Sequence, residues 1–209
     1  MLYPFQYFLD ALFPPTDHEL QLRHVTKERF ISFYQPHSHD SMVYLAPYHL
    51  PPMQAAIAAC KFENNYHAAM LLGSLVEAHL NTLPPKKTLL IPLPLSRIRE
   101  RERGFNQVER VLSYVCTNEL PYPTTINTHI LTRTRHTKAQ TSLSRKERLK
   151  NIRNAFACAE KNIPMLAGYE RIIVCDDVYT TGSTFKAALE ALSPHIPTTT
   201  ELHFLAWAH

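Results

Sequence analysis

No two of the four cysteines, Cys60, Cys116, Cys158 and Cys175, form a Cys-x-x-Cys pair, and none precedes residue 60. A zinc ribbon, a redox dithiol and a disulfide framework are therefore not encoded, which fits a reducing compartment. Cys175 stands in an apolar run and reads as a small core residue. The opening Met1-Leu2-Tyr3-Pro4-Phe5 lacks the basic and uninterrupted apolar regions of a signal peptide. No stretch approaches the length of a membrane span, so a cytoplasmic location is expected. Internal repeats, low-complexity linkers and a Walker-type Gly-Lys-Ser/Thr are also missing. What is present is 45% hydrophobic residues against 19% charged in 209 positions, enough for one packed domain with a modest extension. A formal charge of +4 suits a phosphate-bearing ligand or a nucleic acid, and equally an ordinary solvated surface.

Residues 1–45 show no sustained period. Leu2 to Leu12 predicts a short amphipathic helix stopped by Pro14-Pro15, and Phe30–Tyr34 with Ser41–Ala46 predicts a short strand pair. His37-Ser38-His39-Asp40 between them reads as a polar turn, with a metal site as the alternative. From Pro51 the period changes. Met53, Ile57 and Cys60, then Ala69, Leu72, Leu75, Val76 and Leu80, predict two helices joined near Glu63-Asn64-Asn65. Thr88 to Pro94 is a continuous apolar run, as in a strand buried on both faces. A basic stretch from Arg97 to Gly104 leads into a helix carrying Val108, Val111, Leu112 and Val115. Leu131 to Lys150 holds seven Lys or Arg and one acid, Glu147, and reads as a mobile basic loop before a short helix capped by Ser144. Arg171–Cys175 and Leu202–Ala208 predict further strands, separated by a helix marked by Phe185, Ala188, Leu189 and Leu192. Strands alternating with helices argue for a mainly parallel α/β sheet flanked by helices.

The chemistry concentrates where the strand ending at Cys175 meets the helix starting near Ser183. Ligands of open α/β sheets collect at the carboxyl ends of strands. Asp176 and Asp177 stand there, followed by Thr180, Thr181, Gly182, Ser183 and Thr184. The hydroxyl-rich turn at a helix N-terminus favours an anion, and Gly182 allows close approach of the backbone. The paired carboxylates would repel phosphate but accept hydrogen bonds from ribose hydroxyls, with or without a hydrated Mg²⁺. A ligand with vicinal hydroxyls beside a 5′-phosphate satisfies both halves. The bland alternative is a strand end followed by a helix cap.

Val174 to Thr184 resembles the binding motif for 5-phosphoribosyl-1-pyrophosphate (PRPP) of type I phosphoribosyltransferases. Thr180 stands where the oxopurine enzymes place a third acid, which points away from oxopurine salvage. Ile91-Pro92-Leu93-Pro94-Leu95 and Arg101 to Gln107 resemble the "PVPL…RERGFNQ" block of the ComF/GntX-type family. Arg133, Thr137, Gln140, Leu143, Arg148, Asn151, Ala155 and Phe156 are similar to a further block of that family, Lys61-Phe62 to its "LKF", and Leu12-Phe13-Pro14-Pro15 to its "LFPP". The family's usual N-terminal zinc ribbon is missing.

The resemblance implies a type I phosphoribosyltransferase-like domain over 46–209, with residues 1–45 as an N-terminal extension or hood. It implies PRPP contacts from Asp176, Asp177, Thr180, Thr181, Gly182, Ser183, Thr184, Pro92, Arg103, Gly104, Asn106 and Gln107. Asp176, Asp177 and Arg103 are the candidate catalytic residues, and Mg²⁺ enters with PRPP rather than through direct protein ligands. Arg133, Lys138, Gln140, Arg148 and Asn151 would belong to a lid, or else to a basic patch for nucleic acid. Two functions follow as expectations. One is transfer of phosphoribose to a nitrogenous acceptor. The other is a PRPP-sensing module that handles single-stranded DNA beside a helicase partner in natural competence.

Overall fold

The computed structural model describes residues 14–39, 41–134 and 155–209. Two threonines start the first helices. The hydroxyls of Thr16 and Thr26 accept from the Glu19 and Arg29 N–H groups at 3.1 and 3.2 Å, giving α1 (Asp17–Leu22) and α2 (Lys27–Ile31). Phe30 therefore sits in a helix and not in the expected strand over Phe30–Tyr34; the cap at Thr26 overrides the β propensity of Phe30 and Ile31, and Phe30 is fully buried. The strand pair exists, but its first member is β1 (His37–His39), antiparallel to β2 (Met42–Ala46). His37 thus lies in a strand rather than in a polar turn, its ring stacked on Tyr44 with centroids 5.1 Å apart. Asp40 and the expected helix over Leu2–Leu12 lie outside the described residues.

The two expected helices follow as α3 (Pro51–Phe62) and α4 (Tyr66–Leu80), the second capped by the Asn65 side chain. Next comes β3 (Thr88–Pro92), buried at all five positions. The basic stretch is itself a helix, α5 (Arg97–Arg103), capped by Ser96 and ended by Gly104 at φ +76°. After it come α6 (Gln107–Leu112), β4 (Thr124–Ile126) and β5 (Leu131–Arg133), then β6 (Phe156–Cys158), α7 (Ile163–Leu166), β7 (Arg171–Val178), α8 (Ser183–Leu192) and β8 (Glu201–Ala208). Leu131–Arg133 is therefore a strand rather than the start of a basic loop, because Leu131 and Phe156 are buried across its antiparallel pairing with β6. Ser144, Glu147 and the helix expected there lie outside the described residues.

The main sheet runs β1-β2-β8-β7-β3-β4, parallel except for the edge strand β1. The boundary expected between residues 45 and 46 falls inside β2, which pairs with β8. Alternation divides the core. Leu90, Ile173, Cys175, Leu205 and Trp207 face α3, α4 and α6, whereas Leu89, Ile91, Ile172, Val174 and Phe204 face α8. Each fully buried Leu, Ile or Phe contributes roughly 1.5–3 kcal/mol. No described helix is long and apolar enough to cross a membrane.

The amino ends of the central strands are held by charge. Arg171, 2% exposed, donates to the Glu201 carboxylate at 3.3 Å and to the Pro84 carbonyl at 3.0 Å, and lies 5.8 Å over the Tyr122 ring. Substituting Arg171→Ala leaves that carboxylate to Lys86 and His203, frees the Pro84 carbonyl of its donor and opens a void. We expect a loss of about 3 kcal/mol in urea denaturation, with ligand affinity at the far end of the sheet unchanged.

Candidate functional site

β3 and β7 lie side by side, with Pro92 opposite Cys175, so their carboxyl ends open into the same space. The Leu93 N–H donates to Cys175 O at 2.9 Å, which carries the pairing one step beyond the strand. Asn106 then fixes the following turn: its amide donates to Leu93 O at 3.0 Å while its Oδ1 caps α6. The result is a cleft of about 760 Å³ walled by Leu93–Ser96, by α5, by the carboxyl end of β7 and by the residues that follow it.

Asp176, Asp177, Thr180, Thr184, Arg103, Gln107 and Arg133 all line this cleft. Pro92, Gly104, Asn106, Thr181, Gly182 and Ser183 adjoin those residues without lining the cleft themselves. Pro92 ends the strand, Gly104 ends α5, and Asn106 holds the turn. Gly182 precedes α8 at φ +68°, and a Cβ there would stand 3.0 Å from the Tyr179 ring. Beside it the Thr181 and Ser183 hydroxyls are 2.9 Å apart. Lys138, Gln140, Arg148 and Asn151 lie outside the described residues.

Asp177 takes two side-chain partners on one oxygen. Its Oδ2 accepts from Gln107 Nε2 at 2.6 Å and pairs with Lys61 Nζ at 3.0 Å. Gln107 in turn accepts from Arg103 at 2.8 Å through its Oε1. Asp176 has a different environment. Its Oδ1 accepts the Asp177 N–H at 2.8 Å, but burial, with the Asp177 charge beside it, holds its carboxyl well above the usual carboxylate range. Behind them burial, helped by Asp177, pushes the Cys60 thiol up to about 12, so it stays neutral.

Several lining residues escaped the sequence. Lys61 had only its place in a family block, and its pairing with Asp177 bridges α3 to β7. Arg99 lines the cleft one helical turn before Arg103, whereas Arg97 and Arg101 point elsewhere, as spacing on a helix requires. Tyr48, Tyr179 and His209 form the far wall, with the Tyr179 and His209 rings 5.1 Å apart. Arg133 enters from β5. Burial and the charge of Arg99 disfavour its ionised form, while Asp176 opposes them. Among the described residues no group of three or more His, Cys, Asp or Glu is placed to hold a metal ion.

Two variants test these electrostatics without any ligand. The folded protein binds the Asp176 proton more tightly than the unfolded chain, so this carboxyl costs stability as pH rises from about its ordinary value of 3.8 through the raised folded value. Asp176→Asn should therefore melt higher than the parent at pH 8, by roughly 1–2 kcal/mol, with the gain fading in acid. Lys61→Met has the opposite sign, a loss of about 1–3 kcal/mol at neutral pH that shrinks as the carboxylates protonate. Thermal melts across pH read both.

Comparison with known proteins agrees with this architecture. No family model matches the chain. It is 35% identical over 159 residues to competence protein F of Haemophilus influenzae, a match covering 72% of this chain and 65% of that protein. It is 31% identical over 157 residues to DNA utilization protein YhgH of Escherichia coli O157:H7, covering 72% and 64%. To competence protein ComFC of Bacillus subtilis it is 34% identical over 109 residues, covering 52% and 40%. The matches thus span slightly less than two thirds of the first two relatives. With these similarities and a mainly parallel, helix-flanked six-stranded sheet, the chain belongs to the ComF/GntX-type family and has its type I phosphoribosyltransferase fold.

Proposed function

We propose that the cleft binds PRPP with Mg²⁺ and that the chain transfers its phosphoribosyl group to a nitrogenous acceptor. The observation that carries this reading is the sharing of one cleft by a carboxylate pair and four basic side chains, Lys61, Arg99, Arg103 and Arg133, beside the hydroxyl-bearing start of α8. Asp176 and Asp177 accept from the ribose hydroxyls. Thr180 to Thr184 and the N-terminal dipole of α8 hold the 5′-phosphate. Leu93–Ser96 and the α5 guanidiniums face the pyrophosphate. No described cluster of side chains would hold Mg²⁺ directly, so it would be bound with the ligand and would screen its phosphate charge.

In the transfer the C1′–O bond breaks and its electron pair leaves on pyrophosphate, while the acceptor nitrogen's lone pair forms the C1′–N bond and its proton passes to solvent. Charge on the leaving group grows along this path, so Arg99 and Arg103 stabilise the transition state more than the bound ligand. The partial burial of Arg103 strengthens that effect.

A second reading is favoured by the names of the relatives, competence protein F and DNA utilization protein YhgH. In it PRPP is bound intact as a signal, and the protein handles single-stranded DNA beside a helicase partner during DNA uptake. Calorimetry with PRPP and Mg²⁺, followed by a pyrophosphate-release assay over a panel of nucleobases, separates the two. Transfer predicts saturable binding and release with at least one acceptor; binding with no release across the panel selects the sensor. Absence of binding overturns both. Gly182→Ala, which forces a Cβ against Tyr179 at a left-handed backbone position, should weaken PRPP about tenfold or more, equivalent to roughly 1.4 kcal/mol.

A further inference from the structure

Two aromatic residues of the family-like blocks take no part in the cleft. Phe62 closes α3 and Phe105 lies between α5 and α6, and neither lines the cavity. Phe62 is 72% exposed, and Tyr66, across the Glu63–Asn65 turn, is 55% exposed. Such large rings ordinarily turn inward. Here arginines hold them at the surface. The Arg103 guanidinium lies 5.3 Å from the Phe62 centroid, and Arg110 lies 4.8 Å from Tyr66 and 5.9 Å from Phe105. Arg110 therefore contacts two rings, and Arg103 belongs both to this patch and to the cleft wall.

The charge around the rings is mixed but unevenly available. Glu63 is engaged by Thr16 at 2.8 Å and His18 at 2.7 Å, and Glu109 accepts from Asn106 at 3.2 Å. Glu100 and Glu102 share α5 with Arg97, Arg99, Arg101 and Arg103. The cations in contact with the rings are Arg103 and Arg110, while Glu63 and Glu109 are already taken by protein donors. The apolar area is small. Two largely exposed rings and one half-buried ring offer on the order of 300 Å², well short of the roughly 800 Å² that each partner of a stable protein interface contributes. A strand with unpaired bases needs less: rings for its base faces and cations for its phosphates.

We propose that Phe62, Tyr66 and Phe105, with Arg103 and Arg110 between them, form a stacking platform for single-stranded nucleic acid beside the cleft. This deepens the second reading above by giving its nucleic acid a place on the molecule. It does not depend on whether the cleft holds PRPP. Unpaired bases lie on the rings while the backbone follows the arginines, and Arg103 connects this surface to the cleft through Gln107 and Asp177.

The test uses the full chain and fluorescence anisotropy with labelled oligothymidylate of roughly 15 nucleotides, a matching oligouridylate, and a duplex competitor. Binding should weaken with salt. Phe62→Ala and Tyr66→Ala should each lose about tenfold in affinity, Leu189→Ala on the opposite layer should lose nothing, and the duplex should compete poorly. Preference for the DNA or the RNA oligomer identifies the natural strand. Unchanged PRPP calorimetry and melting in the two ring variants show that fold and cleft are intact. Tyr66→Trp adds a direct readout, since stacking quenches the new indole. If the parent binds the strand but both ring variants bind equally well, or the duplex competes equally, the platform is wrong while the nucleic-acid reading survives. If the parent binds no single strand even at low salt, both fail, whatever the PRPP result.

Discussion

Asp177 Oδ2 receives the Lys61 ammonium and the Gln107 amide together, and Gln107 is itself held by Arg103. Through this one oxygen α3, α5 and α6 are tied to the carboxyl end of β7. Without it the helices would still pack by their apolar faces, but the cleft would lose the link that sets the spacing of its two sides. A ligand hydroxyl approaching Asp177 meets an acceptor already oriented by two donors. Asp176 stands in contrast. Its Oδ1 accepts a backbone N–H, and burial with the Asp177 charge beside it disfavours its ionised form, against the pull of Lys61 and Arg133. Of the two neighbouring carboxylates, Asp177 is the one bonded to α3 and α6, through Lys61 and Gln107.

That arrangement explains what could be read from the chain. Thr88–Pro92 and Arg171–Cys175 were legible as strands because a strand covered on both faces needs only a continuous apolar run. The helices over 51–62 and 66–80 were legible from their period, and Gly182 from its place before Ser183. The helix at Lys27–Ile31 was not, since five residues carry too little period and its cap at Thr26 was the deciding signal. His37–His39 was missed because its partner across the turn, not its own composition, makes it a strand.

The site was legible in its local parts and hidden in its long-range ones. Asp176 to Thr184 form one continuous segment, so strand end, acid pair and hydroxyl turn could be read together. Nothing local announces that β3 and β7 are neighbours, which is what brings Arg103 and Gln107 to Asp177. Lys61, Tyr48 and His209 reach the cleft from other elements altogether. Their participation depends on strand order, which is a property of packing rather than of any segment.

Strand β7 ends in charge at both extremities, Arg171 with Glu201 at one and the aspartates at the other. Six residue steps of extended chain separate Arg171 from Asp177, roughly 20 Å, a distance at which two unit charges interact by less than about 1 kcal/mol at an effective dielectric of about 20. The two ionic groups are therefore only weakly coupled along a single strand. One can be loaded, neutralised or altered by evolution at little electrostatic cost to the other.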